Sequence, residues 1–270
     1  MSLLILVACG GDGARHLPDG GAPPDDTSAT VDAAPDHGGS ISVETYPDGR
    51  ALAFAEFLHA APPPPTCTTN VRIGACALTR CTSGADTDSA GRIAIQAGMP
   101  AQATITMAPP SSGAYSYPPT VGNGAFTAGA PITFTATGDT VPAFSDTLAF
   151  PMLPAITSPV PGATIAHDAD LVFTWSGGPT PAEVVIFLID ATGTYLSCGI
   201  LPAPGDDHVT IPGALVGMLV PDATGKVTVG TSMYALKQLT AGDYTIVLYA
   251  GGEPLSSVTQ QGFEGSFVVQ

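Results

Sequence analysis

Positive charge is scarce in this sequence. Of 270 residues, Lys and Arg supply 7 against 23 Asp and Glu, for a net charge of −16. Nucleic-acid binding needs basic patches that displace counterions from phosphates, so no nucleic-acid partner is expected. Electrostatic attachment to anionic lipid is excluded on the same ground. Charged residues make up only 11%, below the roughly 25% of an ordinary soluble domain. Good helix formers are also few. The 32 Gly and 27 Pro, with little Lys and Glu, disfavour helices. Thr, Val, Ile and aromatic residues recur instead in short runs bounded by Gly, Pro and Asp, which is the pattern of strands. The expected fold class is all-β, with two β-sandwich-like domains behind a disordered N-terminal tether.

The motifs of common chemistries are missing as well. The chain has no GxSxG, no HExxH, no Walker loop and no GxGxxG opening a helix. Its histidines, His16, His37, His59, His167 and His208, are scattered. The densest polar cluster is Asp206-Asp207-His208, followed by His167 with Asp168 and Asp170. Either is a weak candidate for calcium or a transition metal, and solvated acidic turns are the plainer reading. A glycosidase carboxylate pair has no fixed spacing, but 7% aromatic residues is low for a sugar cleft. No cofactor, metal centre or catalytic residue is expected.

What is present begins with Leu6-Val7-Ala8-Cys9. The apolar stretch Leu3–Ala8 would rise only about 9 Å as a helix, against roughly 30 Å of bilayer hydrocarbon. It is too short to span, and no Lys or Arg precedes Cys9. The four residues resemble a lipobox, the bacterial signal cut before a cysteine that takes lipid. The resemblance implies a truncated lipoprotein signal over residues 1–8 and a lipidated Cys9. Gly10 rather than Asp after the cysteine implies outer-membrane placement within that family. Residues 10–39 hold Asp12, Asp19, Asp25, Asp26, Asp32 and Asp36 among Gly, Pro and Ala, with no apolar periodicity. Such a segment cannot offset its ordering entropy and reads as an extended tether.

Setting Cys9 aside leaves Cys67, Cys76, Cys81 and Cys198, an even number that permits disulfides in an exported chain. The spacing Cys67-x8-Cys76-x4-Cys81 does not make the CxxC pairs of a zinc site. Thr66–Cys81 reads as a hairpin turning around Gly74. In that register Arg72 faces Cys76 and Cys67 faces Cys81, so a Cys67–Cys81 disulfide is expected. Cys76 shares a face with Leu78, directed inward. The states of Cys76 and Cys198 stay open. The first folded block covers residues 40–152. Its expected strands are Ile41–Thr45, Ala51–Leu58, Arg92–Gln96, Gln102–Met107, Ala114–Tyr117, Ala125–Thr127 and Ile132–Thr137. Val141–Phe144 and Leu148–Pro151 complete it. Tyr115 and Tyr117 share a face, as core or rim residues before an aromatic platform.

A second block covers residues 153–270. Leu171, Phe173 and Trp175 alternate with Val172 and Thr174, which puts the single Trp on a core face. Ile156–Pro159, Ala182–Asp190 and Gly265–Gln270 are further strands, and Ile211–Leu219 reads as one short helix entered at Pro212. With the run Leu239–Tyr249, these residues resemble an immunoglobulin-like or fibronectin type III-like module. The resemblance implies a core Trp175 and a corner Tyr244, without the inter-sheet disulfide of antibody domains. The whole architecture is similar to uncharacterised lipoproteins of the myxobacterial type.

The reading that follows is a lipid-anchored, non-enzymatic binding or structural module of the cell envelope, facing periplasm or exterior. Its partners are the membrane, through Cys9, and a protein or glycan ligand. The alternative is a secreted hydrolase, or an accessory domain of one, acting on glycans or other extracellular polymers.

Overall fold

The computed structural model describes residues 37–46, 50–59, 66–82, 87–98, 103–110, 114–120, 126–160, 163–178, 181–252 and 265–269. Cys9, residues 10–36 of the expected tether, Pro62–Pro65, Asp86 and the Asn123-Gly124 turn lie outside them, while His37–Gly39, expected as the end of the tether, open the first strand. The regular structure of the described chain is nearly all strand. In order it forms β1 (His37–Thr45), β2 (Ala51–His59), β3 (Thr66–Ile73), β4 (Cys76–Thr82), β5 (Ile93–Ala97), β6 (Ala103–Met107), β7 (Tyr115–Thr120), β8 (Pro131–Ala136) and β9 (Phe144–Ala149). Then come β10 (Ala155–Ser158), β11 (Thr164–Ile165), β12 (Leu171–Ser176), β13 (Glu183–Ile189), β14 (Tyr195–Ile200) and β15 (His208–Ile211). One helical turn, α1 (Gly213–Val216), precedes β16 (Lys226–Ala241), β17 (Tyr244–Gly252) and β18 (Gly265–Val269).

These strands make three sheets in a sandwich-like arrangement. The largest has 11 strands, in the order β3-β4-β14-β13-β16-β17-β1-β2-β7, with β18 on β16 and β11 on β18. A 4-stranded sheet, β6-β5-β8-β9, and a 3-stranded sheet, β10-β12-β15, complete the set. The alternation of strands then sorts side chains into two cores. In the first, Ile41 and Val43 of β1, Phe57 of β2 and Ile246 and Leu248 of β17 meet Ile93, Ile95, Ile132 and Phe134 of the 4-stranded sheet. In the second, Val184, Ile186 and Leu188 of β13 and Leu196 of β14 meet Phe173 and Trp175 of β12 and Ile211 of β15. One large sheet thus contributes to both cores.

The chain passes from the first core to the second near residue 152, between β9 and β10, with two excursions across that line. The β3–β4 hairpin leaves the first core and adds to β14, so that Cys76 and Leu78 are buried in the second. In the other direction, β17 pairs in parallel with β1 and fills the first core. The 16-residue β16 serves both, with Val227, Val229 and Met233 in the second core and Ala241 in the first.

Local geometry departs from the sequence reading in instructive places. In the β3–β4 hairpin Ile73 pairs with Cys76 and Arg72 with Ala77, so Arg72 does not face Cys76. The turn is the two residues Gly74-Ala75, with Gly74 at φ +58°, because two-residue connections match strand twist better than a turn centred on one residue. A register shift between Cys67 and Thr69 then sets Cys67 opposite Cys81. Cys76 instead forms a disulfide with Cys198, its direct partner in the β4–β14 ladder. Phe126 and Thr127 are not in a strand, and of the segments expected around Val141 and Leu148 only Phe144 and Leu148-Ala149 are strand, all within β9. The run Leu239–Tyr249 is no single approach to a strand. It is the end of β16, the turn Gly242-Asp243 and the start of β17. The expected helix shrinks to α1 because Ile211 ends β15 and Pro212 takes the N-cap position.

Candidate functional site

Of the six polar residues singled out in the sequence, Asp206 and Asp170 tie backbone and the other four form two His–Asp pairs. Asp206 Oδ2 accepts the Ala203 N–H at 2.7 Å, while the Asp206 N–H donates to the Ala203 carbonyl at 2.9 Å, closing a turn from both sides. Asp207 pairs with His208 Nδ1 at 2.9 Å in an exposed contact. The three are adjacent but do not converge, and among the described residues no group of three or more His, Cys, Asp or Glu is placed to hold a metal ion. His167 pairs with Asp168 at 3.0 Å. Asp170 Oδ1 accepts the Gly213 N–H at 2.8 Å, satisfying a donor at the start of α1. That turn packs so closely on α1 that a Cβ at Gly213 would sit 2.6 Å from the Asp168 carbonyl oxygen.

Of the residues proposed for the core, Trp175 is buried in the second core and Tyr244 in the first. The Tyr244 hydroxyl donates to Asp88 Oδ2 at 2.6 Å, whereas a tyrosine corner bonds to backbone a few residues upstream. Tyr115 is a core residue whose hydroxyl donates to the Gly91 carbonyl and accepts the Ala90 N–H. Tyr117 packs on the same core. Cys67 and Cys81 stand opposite each other in the β3–β4 register. The described surface includes open grooves. One, of about 390 Å³, is lined by Val160, Ala163, Leu171 and Val172. Another, of about 160 Å³, lies between Trp175, Gly177, Gly178 and Asp206-Asp207.

The most concentrated unexpected chemistry lies on the other face of β1. Glu44 follows core-facing Val43, so its side chain belongs to the opposite face, yet it is only 6% exposed. The pairing registers set Glu44, Gly251, Tyr234 and Glu183 in one row across β1, β17, β16 and β13. Gly251 has no side chain, so the Tyr234 ring crosses it and its hydroxyl donates to Glu44 Oε1. A Cβ at Gly251 would fall 2.0 Å from the Met233 carbonyl oxygen and 2.8 Å from Tyr234 Cδ1. The same device recurs nearby. The Phe187 ring covers Gly230, where a Cβ would meet Cζ at 2.0 Å, and stacks on Tyr195 at 5.9 Å. Tyr249 meets the Tyr234 ring edge-on at 5.4 Å.

Burial pushes the Glu44 carboxyl above its ordinary 4.5, and hydrogen bonds from Tyr234 and Ser232 pull it part of the way back. Burial, with the charge and hydrogen bond of Glu44, drives the Tyr234 phenol well above its ordinary 10. Burial and the charge of Glu183 push Tyr249 up to about 12. Both phenols therefore keep their protons at neutral pH, and Tyr234 acts as the donor to Glu44. A strand pattern reads Glu44 as a solvated residue. The only signals pointing elsewhere are Gly251 and Gly230, glycines inside strands, which mark sites where another group approaches closely.

A pH test follows. A carboxyl whose folded pKa is raised favours the folded state below the ordinary 4.5, and that contribution is lost as pH rises through the folded pKa. Glu44→Gln removes the charge and keeps an acceptor for Tyr234. Its urea midpoint, relative to the parent, is expected to rise between pH 4 and pH 8. A difference that stays flat or falls over that range would rule out a buried, proton-holding Glu44.

No family model matches this sequence, and no curated protein matches it. Solved structures do match. One is a tetra-tandem repeat from the extending region of a large adhesion protein, at TM-score 0.25 and 14% identity, covering 82% of this chain and 50% of that one. Another is a structure concerned with host cell surface retention of a 1.5-MDa bacterial ice-binding adhesin, at TM-score 0.20 and 8% identity, covering 87% of this chain and 66% of that one. The chain thus spans half of the first structure and about two thirds of the second.

Proposed function

We propose that this chain is a lipid-anchored, surface-displayed binding or structural module of the cell envelope, without a catalytic centre. The observation that supports it best is how the described acidic side chains are used. Asp170 ties α1, Asp206 closes a turn, Asp88 holds Tyr244, Asp146 pairs with Lys237 at 2.6 Å and Glu44 takes the Tyr234 hydroxyl. These five carboxylates hold the frame together instead of converging on a cleft. Recognition is then left to loops and sheet surfaces held on a stiff frame. The lipobox-like Leu6–Cys9 and the acidic tether supply attachment and reach, since two or three acyl chains hold a bilayer far more firmly than one.

Cys9→Ser, expressed from the natural start, is expected to move the protein from the membrane pellet to the soluble fraction. Unchanged sedimentation would remove the lipid anchor from the proposal. For the ectodomain from residue 37, where β1 begins, binding to envelope glycans or cell-surface fractions is expected, with no turnover of glycoside, ester or peptide substrates. Turnover abolished by substituting Asp206, Asp207 or His208 would instead establish the hydrolase alternative.

A further inference from the structure

We propose that the β3–β4 hairpin is a strap that completes the second core only when Cys76 and Cys198 are oxidised. The hairpin is an excursion from the first core. It departs after His59 of β2, and the chain returns at Thr87, which bridges Leu58, and at Asp88, whose N–H donates to the Phe57 carbonyl at 2.7 Å. Both ends of the excursion are thus fixed to the same end of β2. Its far part crosses to the second core and docks on β14 through four residue pairs, Thr79–Tyr195, Leu78–Leu196, Ala77–Ser197 and Cys76–Cys198.

A two-stranded hairpin is marginal on its own, so its position depends on what it docks against. That dock is short. It includes the four-pair ladder, a long Thr79 hydroxyl bond to the Tyr195 carbonyl at 3.5 Å, Leu78 at 1% and Cys76 at 3% exposure, partly buried Val71, and the disulfide. Without the hairpin, Leu196 and Cys198, both 0% exposed, lose their cover and β14 becomes an open sheet edge. The rest of the large sheet does not rely on this dock, because β13–β16–β17–β1–β2 are paired over long registers. Closure proceeds by thiol–disulfide exchange. The thiolate of one cysteine attacks an external disulfide and displaces one thiolate. The second cysteine then attacks the mixed disulfide and displaces the other. The two protein thiols are oxidised and one external disulfide is reduced to two thiols. Assembly of the second core is thereby tied to an oxidising compartment, where such acceptors exist.

The test is hydrogen exchange on the full chain, comparing the oxidised protein with Cys76→Ala/Cys198→Ala. The double variant leaves Cys67 and Cys81 untouched. Amides of 76–79 and 195–198 are expected to lose at least about tenfold protection, with β1, β2 and β17 unchanged. Should the variant fail to accumulate, Cys76→Ser/Cys198→Ser gives the same readout. Unchanged protection at 195–198 would overturn the strap. So would a loss spread evenly over both cores, since the disulfide would then be a global staple and not a local latch.

Discussion

Replacing Trp175 by alanine is expected to cost about 3–5 kcal/mol, as for other buried large-to-small aromatic changes. Trp175 is 5% exposed and stands in one row of β12 with Leu171 and Phe173, which are 6% and 0% exposed. β12 is the central strand of a sheet of only three, between β10 and β15. That sheet has few large side chains with which to cover β13 and β14, so a cavity here has little nearby mass to refill it. Trp175→Phe keeps most of the volume and is expected to lose about 1–2 kcal/mol. Because Trp175 is the only Trp, unfolding is better followed by circular dichroism in urea than by fluorescence. A midpoint shift worth less than about 1 kcal/mol for the alanine variant would take Trp175 out of the core. Hydrogen exchange adds a positional check. β12, β13 and the first half of β16 should lose protection before β5 and β8, which belong to the other core.

That prediction rests on a strand whose pattern was plain in the sequence. Apolar and polar residues alternate through Leu171–Ser176, and the exposures alternate with them. Ile41 and Val43 are just as legible. Glu44 was not, because alternation reports which face a residue occupies and not whether that face is covered. Its burial depends on Gly251 from a strand over 200 residues away, a pairing that local pattern does not contain. The hairpin offers a similar contrast. Strand, turn and strand are evident in Thr66–Cys81, and Cys67 does come opposite Cys81. The register near the turn was off by one because the turn takes two residues and a bulge absorbs the difference. That Cys76 leaves the hairpin for Cys198, at a sequence separation of 122, follows from the hairpin docking on β14. Four cysteines allow three connectivities, and spacing alone does not choose between them.

Asp190 carries the other large expected effect, and its sequence context, Asp190-Ala-Thr-Gly-Thr194, gave only a turn signal. One oxygen, Oδ1, accepts the Thr192 N–H at 2.8 Å, the Thr192 hydroxyl at 2.7 Å and the Thr194 N–H at 2.9 Å. The other, Oδ2, accepts the Val220 N–H at 3.0 Å from the segment after α1. A single carboxylate thus shapes the β13–β14 turn and ties it to a segment 30 residues away. Asp190→Ala removes four hydrogen bonds and leaves the N–H of buried Thr194 without its acceptor. The expected loss is about 3 kcal/mol, since bonds to a charged acceptor exceed the ~1 kcal/mol of neutral ones. Asp190→Asn keeps one acceptor oxygen and should lose less. The pH dependence runs opposite to that of Glu44. Burial raises the Asp190 pKa, but the hydrogen bonds from Val220, Thr192 and Thr194 outweigh it and hold the carboxyl below its ordinary 3.8. The stabilisation it provides is therefore present above that value and is lost as pH falls through the folded pKa. In acid titrations followed by circular dichroism, the gap between parent and Asp190→Ala should narrow as pH drops below about 4. A gap that holds constant down to pH 2 would mean that Asp190 acts through packing alone, with its charge contributing nothing.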